Sequence, residues 1–254
     1  MNNLLEERDG PLAILTLSNP GKLNAFTQAM RDALTDILCK LNADPGCRAI
    51  ILTGADGNFS AGADMQGWGE KTVQQCRHRL KKGGAALMRE MIAGSTPIIA
   101  AVEGYAFGAG LALACAADHL VASAGSKFCC AFTKVGFIPD LALMYTLPRR
   151  VGASKAKQLI ALADTMDGLD AQRIGLVDEI VESGQVLARA REIALRYGET
   201  PPLAFELMKS AFARDLEAMI QAEIDLQPYA WLSQDHVEGK QAFAEKRRPH
   251  FTGR

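Results

Sequence analysis

Residues 98–110 read Ile98-Ile99-Ala100-Ala101-Val102-Glu103-Gly104-Tyr105-Ala106-Phe107-Gly108-Ala109-Gly110. The stretch opens on a continuous apolar run, which reads as a strand buried on both faces. The loop after it is built largely of small residues, so a ligand can approach its backbone closely. The same order of parts occurs upstream, where Ala49-Ile50-Ile51-Leu52 precedes Phe59-Ser60-Ala61-Gly62-Ala63-Asp64. Two free backbone N–H groups aimed at one point from such loops would polarise a carbonyl and hold the oxyanion that forms from it.

Outward from these loops, strands and helices alternate through residue 130. Residues 11–17 read as a strand closed by Asn19-Pro20-Gly21. Thr27 is placed to cap a helix with the stripe Met30, Ala33, Leu34, Ile37, Leu38 and Leu41. Residues 48–52 form the next strand. A helix is expected over 71–92, weakened by Gly83-Gly84. A short helix over 109–116 and a strand over 118–122 follow. Strands spaced by helices point to an α/β fold with parallel pairing and right-handed crossovers. Beyond Leu141 the pattern is helical, with helices at 153–162, 171–174, 185–196, 203–212, 216–231 and 236–247 and one strand at 177–181. No repeat and no low-complexity linker interrupts it. The division expected is a β/α core over 1–198 and a C-terminal helical module over 199–254.

Composition narrows the function. The chain has 254 residues, 48% of them hydrophobic, ample for a full core. A formal net charge of −1 makes no electrostatic case for nucleic acid as a partner. No apolar run approaches the roughly 18 residues of a membrane span. The start, Met1-Asn2-Asn3-Leu4-Leu5-Glu6-Glu7, has neither a signal-peptide layout nor the basic character of a transit peptide. The six cysteines contain no C-x-x-C pair, so zinc and redox roles are not expected and reduced, mostly buried thiols in the cytoplasm are. No G-x-S-x-G elbow surrounds Ser60, and neither dinucleotide nor P-loop signatures occur.

Together with Asn19-Pro20-Gly21-Lys22-Leu23-Asn24-Ala25, Gly136-Phe137-Ile138-Pro139-Asp140, Leu147-Pro148-Arg149 and Phe243-Ala244-Glu245-Lys246-Arg247-Arg248, the two loops resemble the enoyl-CoA hydratase/isomerase (crotonase) family along nearly the whole chain. The resemblance implies a crotonase-like spiral of ββα units with a C-terminal helical trimerisation module, assembled as a homotrimer or a dimer of trimers. It implies an acyl-CoA thioester as substrate, coenzyme A being part of that substrate, with no separate cofactor and no metal. The backbone N–H groups of Ala63 and Ala109 fall at the oxyanion-hole positions. Glycine is commoner in the family at 109, and alanine keeps the N–H while restricting φ. A tight turn packed with small residues is the alternative for both loops.

The usual hydratases of this family carry two glutamates. By resemblance those positions hold Ala112 and Phe132 here, and neither moves a proton. Asp140 stands instead where some family isomerases place one carboxylate, as in enoyl-CoA Δ3,Δ2-isomerases and the epoxyphenylacetyl-CoA isomerase. One carboxylate suffices for a 1,3-proton shift, and apolar surroundings would raise its pKa. A helix N-cap is an equally good role for Asp140. Leu141-Ala142 replaces a glycine pair common in relatives. For coenzyme A, the resemblance points to Lys22 and Asn24 near the nucleotide, the backbone of Ala61 and Gly62 at adenine, and Asp64 and Met65 beside them. It also points to Phe243 and Lys246 reaching a neighbouring subunit's coenzyme A, although Lys246-Arg247-Arg248 also fits a solvated charged tail. Met65, Trp68 and the 71–92 helix are expected to shape the acyl pocket. One branch of the family binds RNA, but Arg77-His78-Arg79-Leu80-Lys81-Lys82 reads better as a solvated helix face, since no aromatic interleaves it. The expectation is an enoyl-CoA isomerase; the alternatives are a hydratase using Asp140 alone and a non-catalytic acyl-CoA binder.

Overall fold

The apolar runs become strands. The computed structural model describes residues 4–66, 69 and 72–254. Its strands are β1 (Leu4–Asp9), β2 (Leu12–Leu17), β3 (Ala49–Gly54), β4 (Ile98–Val102), β5 (Tyr105–Phe107), β6 (His119–Ser123), β7 (Lys127–Cys129), β8 (Met166–Asp167) and β9 (Glu179–Val181). Six form one sheet in the order β1-β2-β3-β4-β6-β9, parallel except for the β1–β2 hairpin. The other three form a small sheet in the order β5-β7-β8. The alternation along β3 shows why its run is unbroken. Ile50 and Leu52 enter the main core, while Ala49 and Ile51 pack with Val186, Ala190 and Ile193 on the opposite face.

The helices are α1 (Gln28–Ala43), α2 (Val73–Lys82), α3 (Gly84–Ile92), α4 (Ala109–Ala116), α5 (Leu143–Val151), α6 (Ala153–Leu162), α7 (Gly168–Arg173), α8 (Val186–Gly198), α9 (Pro202–Phe212), α10 (Leu216–Trp231) and α11 (Gln234–Ala244). Thr27 caps α1 as expected, its hydroxyl accepting from the Met30 N–H at 3.1 Å. The stripe residues Met30, Leu34, Leu38 and Leu41 are buried.

Two expectations are corrected, and two features are new. The helix over 71–92 is two helices meeting at Gly83, whose ψ of −83° leaves the helical range, and a Cβ there would lie 2.4 Å from the Arg31 guanidinium carbon. Asp140 is not an N-cap. Ala142 occupies that position, and Leu141 and Ala142 both have φ +53°. Strand β1 and the small sheet were not expected; β5 lies inside the second small-residue loop and is only three residues long, too short for a period to show. Five of the cysteines are buried and Cys39 is exposed, all as free thiols. No helix among the described residues is long and apolar enough to cross a membrane.

Candidate active site

The two small-residue loops lie side by side because their backbones pair. Ser60 and Ala106 form an isolated parallel bridge. The Ser60 N–H donates to the Tyr105 carbonyl at 2.7 Å, and the Phe107 N–H donates to the Ser60 carbonyl at 3.0 Å. Ala63 and Ala109 each lie three residues beyond a bridge partner, so one register positions both. The register depends on missing side chains: a Cβ on Gly110 would lie 2.6 Å from the Ser60 carbonyl oxygen. The bend at Gly62 (φ +112°) needs the freedom of glycine.

Neither N–H has a protein acceptor among the described residues. Ala109 is the first residue of α4, where a helix leaves its N–H unpaired at the positive end of its dipole. Around Ala63 the flanking groups are taken, the Phe26 N–H by the Gly62 carbonyl at 2.7 Å and the Asp64 N–H by the Phe26 carbonyl at 3.0 Å. The Ala63 N–H is left without an acceptor, and the residue lines the cavity. Ala61, Gly62, Ala63, Gly108 and Ala109 all line one pocket.

Other parts of the lining act through side chains. Asp140 lines the same pocket, held by the segment before it. The Gln227 amide clamps Ile138 from both sides, accepting from its N–H at 3.2 Å and donating to its carbonyl at 2.9 Å. Burial pushes the Asp140 carboxyl up to about 6, against the pull of Arg31, a Gln227 hydrogen bond and Arg79. A second carboxyl, Glu223 on α10, lines the same pocket. Its Oε2 accepts from the Ala142 N–H at 3.1 Å. Burial, then the nearby Asp140 charge, pushes it up to about 8. Arg31 also lines the pocket; burial and then the neighbouring Arg79 lower its pKa. Phe132, Phe137, Leu141, Ile224 and Trp231 supply apolar walls.

The remaining expected residues are distributed as follows. Met65 lines the pocket and so does Phe243 of α11, the latter in its own chain. Lys246 lies just past α11, outside the lining. Lys22 sits apart, paired with Asp64 at 2.9 Å and donating to Gln66 at 2.8 Å. Asn24 is buried and serves the loops: its amide donates to the Ala55 and Asn58 carbonyls at 2.8 and 2.6 Å and accepts from the Asn19 N–H. Trp68 lies outside the described residues. Phe132 lines the pocket, whereas Ala112 is buried inside α4. In the basic stretch 77–82, Arg77, His78, Lys81 and Lys82 are exposed, as a solvated helix face requires, while its other side is packed. Arg77 pairs with Asp225 of α10 at 2.7 Å, Leu80 is buried and Arg79 lies over the Trp231 ring.

Sequence reasoning missed Glu223. The signal was present: on α10 the apolar face Leu216, Ile220, Ile224 and Trp231 continues through Glu223 and Gln227 at helical spacing. Polar residues on a buried stripe mark either a structural clamp or a site.

A family model described as enoyl-CoA hydratase/isomerase matches residues 7–254. A Rhodobacter capsulatus relative named "Probable enoyl-CoA hydratase" is 36% identical over 247 residues, covering 96% of this chain and 95% of its own. The Escherichia coli 1,2-epoxyphenylacetyl-CoA isomerase is 31% identical over 264 residues, covering all of both chains. The crystal structure of an enoyl-CoA hydratase/isomerase from Pseudoalteromonas atlantica superposes with a TM-score of 0.87 at 27% identity, over 98% of this chain and 100% of that one.

Proposed function

The chain belongs to the enoyl-CoA hydratase/isomerase family, and from that premise we propose that it shifts a double bond within an enoyl-CoA thioester, with Asp140 as its base. The observation that carries this reading is one largely apolar pocket lined both by Ala63 and Ala109, whose N–H groups have no acceptor among the described residues, and by the Asp140 carboxyl. In a 3-enoyl thioester, the Ala63 and Ala109 N–H groups hold the thioester oxygen. That polarisation acidifies the α-proton, which Asp140 removes, and the electron pair of the broken C–H bond passes into a dienolate. Reprotonation at the γ-carbon completes the shift. Ala112 and Phe132, at the positions of the usual glutamate pair, take no part in proton transfer.

A hydratase is the second reading, favoured by the name of the Rhodobacter capsulatus relative; Asp140 would then deprotonate water adding to the β-carbon. Incubation with 3-enoyl-, 2-enoyl- and ring-epoxide CoA thioesters, with products identified by mass and NMR, separates the two. A 3-hydroxyacyl product with no positional isomer would reject the isomerase reading. On either reading Lys22 supplies a point charge for coenzyme A phosphates, Ala61 and Gly62 offer backbone to the adenine, and Phe243 and Lys246 reach a neighbouring subunit's coenzyme A. The assembly proposed is a homotrimer or dimer of trimers. Phe212 and Tyr229 are each 75% exposed and Leu203 is 66% exposed on the C-terminal helices, apolar surface of the kind that subunit contacts cover. Light scattering tests it.

A further inference from the structure

We propose that Glu223, on the C-terminal helix α10, is the second proton-transferring group of the site, its neutral carboxyl delivering a proton to the γ-carbon of the dienolate that Asp140 generates. The proposal rests on the isomerase reading above and adds a residue and a step to it.

Glu223 lines the same pocket as Asp140, Ala63 and Ala109. The residue is only 5% exposed. One oxygen is engaged by the Ala142 N–H, while Oε1 is buried with no hydrogen-bond partner among the described residues. An ionised carboxylate so placed would be costly. As a neutral acid it holds one O–H to donate.

The charges around the pair divide the roles. Arg31 from α1 and Arg79 from α2 both act on Asp140 and favour its ionised form. Burial raises both carboxyls, but on Glu223 the next cause, the Asp140 charge, raises it further, with no cation among the groups that shift it. Lys134 also lines the pocket. Two carboxyls whose surroundings push their pKa values apart make an acid and a base. Near neutral pH, Asp140 is the carboxylate and Glu223 the acid.

The step balances. The α-C–H bond breaks to Asp140, and its electrons form the dienolate. The Glu223 O–H breaks as the γ-C–H bond forms, and the double bond moves between the α- and β-carbons. Asp140 then holds a proton that Glu223 has lost, and return of that proton, directly or through solvent, resets the pair. No oxidant or co-reactant is needed.

The test uses Glu223→Gln with a 3-enoyl-CoA thioester in deuterated water. Glutamine still accepts from the Ala142 N–H but has no acidic proton. The expected result is isomerisation reduced ~100-fold or more, with α-proton exchange and acyl-CoA binding within a few-fold of wild type. Unchanged isomerisation, or exchange and isomerisation falling together, overturns the proposal. Wild type that binds the thioester yet neither exchanges nor isomerises rejects the underlying reading instead, and this proposal with it. Should the variant not fold, the wild-type pH profile decides. The proposal requires an acidic limb from Asp140 and an alkaline limb from Glu223, and a profile without the alkaline limb sinks it.

Discussion

The two walls of the pocket are built on different principles. The wall at 60–63 and 106–110 works through backbone: a parallel bridge fixes the register, and small residues let the chains approach. The wall at 138–142 works through side chains brought together from distant positions. Asp140 comes from a loop, Glu223 and Gln227 from α10, Arg31 from α1 and Arg79 from α2. The first wall needs no titratable group and is indifferent to pH. The second depends on burial and charge, so single substitutions and pH act on it directly.

The sharpest way to separate the walls is Asp140→Asn, which keeps shape and hydrogen-bonding capacity but takes no proton. Turnover should fall roughly 100- to 10,000-fold with acyl-CoA affinity nearly unchanged, since the oxyanion donors are backbone groups. Near-normal turnover in steady-state kinetics would remove the side-chain wall from the chemistry.

Next in size is Ala109→Pro. Proline is tolerated at the first position of a helix, so the change removes an N–H at limited cost to α4. Loss of one oxyanion donor costs about 3–4 kcal/mol in the transition state, or ~100-fold or more in kcat. A folded variant with unaltered kcat would break the assignment of the backbone wall.

The pH dependence of stability should report the side-chain wall alone. The folded pKa of Glu223 is raised from 4.5 to about 8. A raised carboxyl binds its proton more tightly in the folded state, so its contribution is fully present below about pH 4.5 and is lost as pH rises through about 8. Asp140 acts in the same sense, from 3.8 to about 6. Thermal melts of wild type should lose stability between these limits, and Glu223→Gln should flatten the upper part. Identical melting curves for the two proteins would show that Glu223 is not held neutral.

The smallest effect is expected at residue 142. Ala142 has φ +53°, which costs a non-glycine residue about 1–2 kcal/mol, offset in Ala142→Gly by ~0.4–1 kcal/mol of unfolded-state entropy. Denaturant unfolding should show a net gain of about 1 kcal/mol or less. A loss would mean that the methyl group packs better than the strain costs.

Much of the first wall was legible in the chain. The apolar runs 49–52 and 98–102 had to be buried, and the small residues after them had to lie where backbone is approached closely. Ala109 at the head of an eight-residue apolar helix announced an unpaired N–H. These are local properties: a period, a turn residue, a helix start. By itself the sequence determined the parallel α/β core, the capped helix α1, the two loops and the family to which they belong. It also placed a carboxylate at 140 without a nearby glutamate pair. Tertiary structure alone decided that Asp140 stands outside its helix, that Arg77 and Arg79 of the basic stretch reach α10, and that Glu223 lines the same pocket as Asp140. A carboxyl's protonation depends on what surrounds it, and here that surrounding comes from α10, more than eighty residues further along the chain. No local pattern carries that distance; only the packed fold closes it.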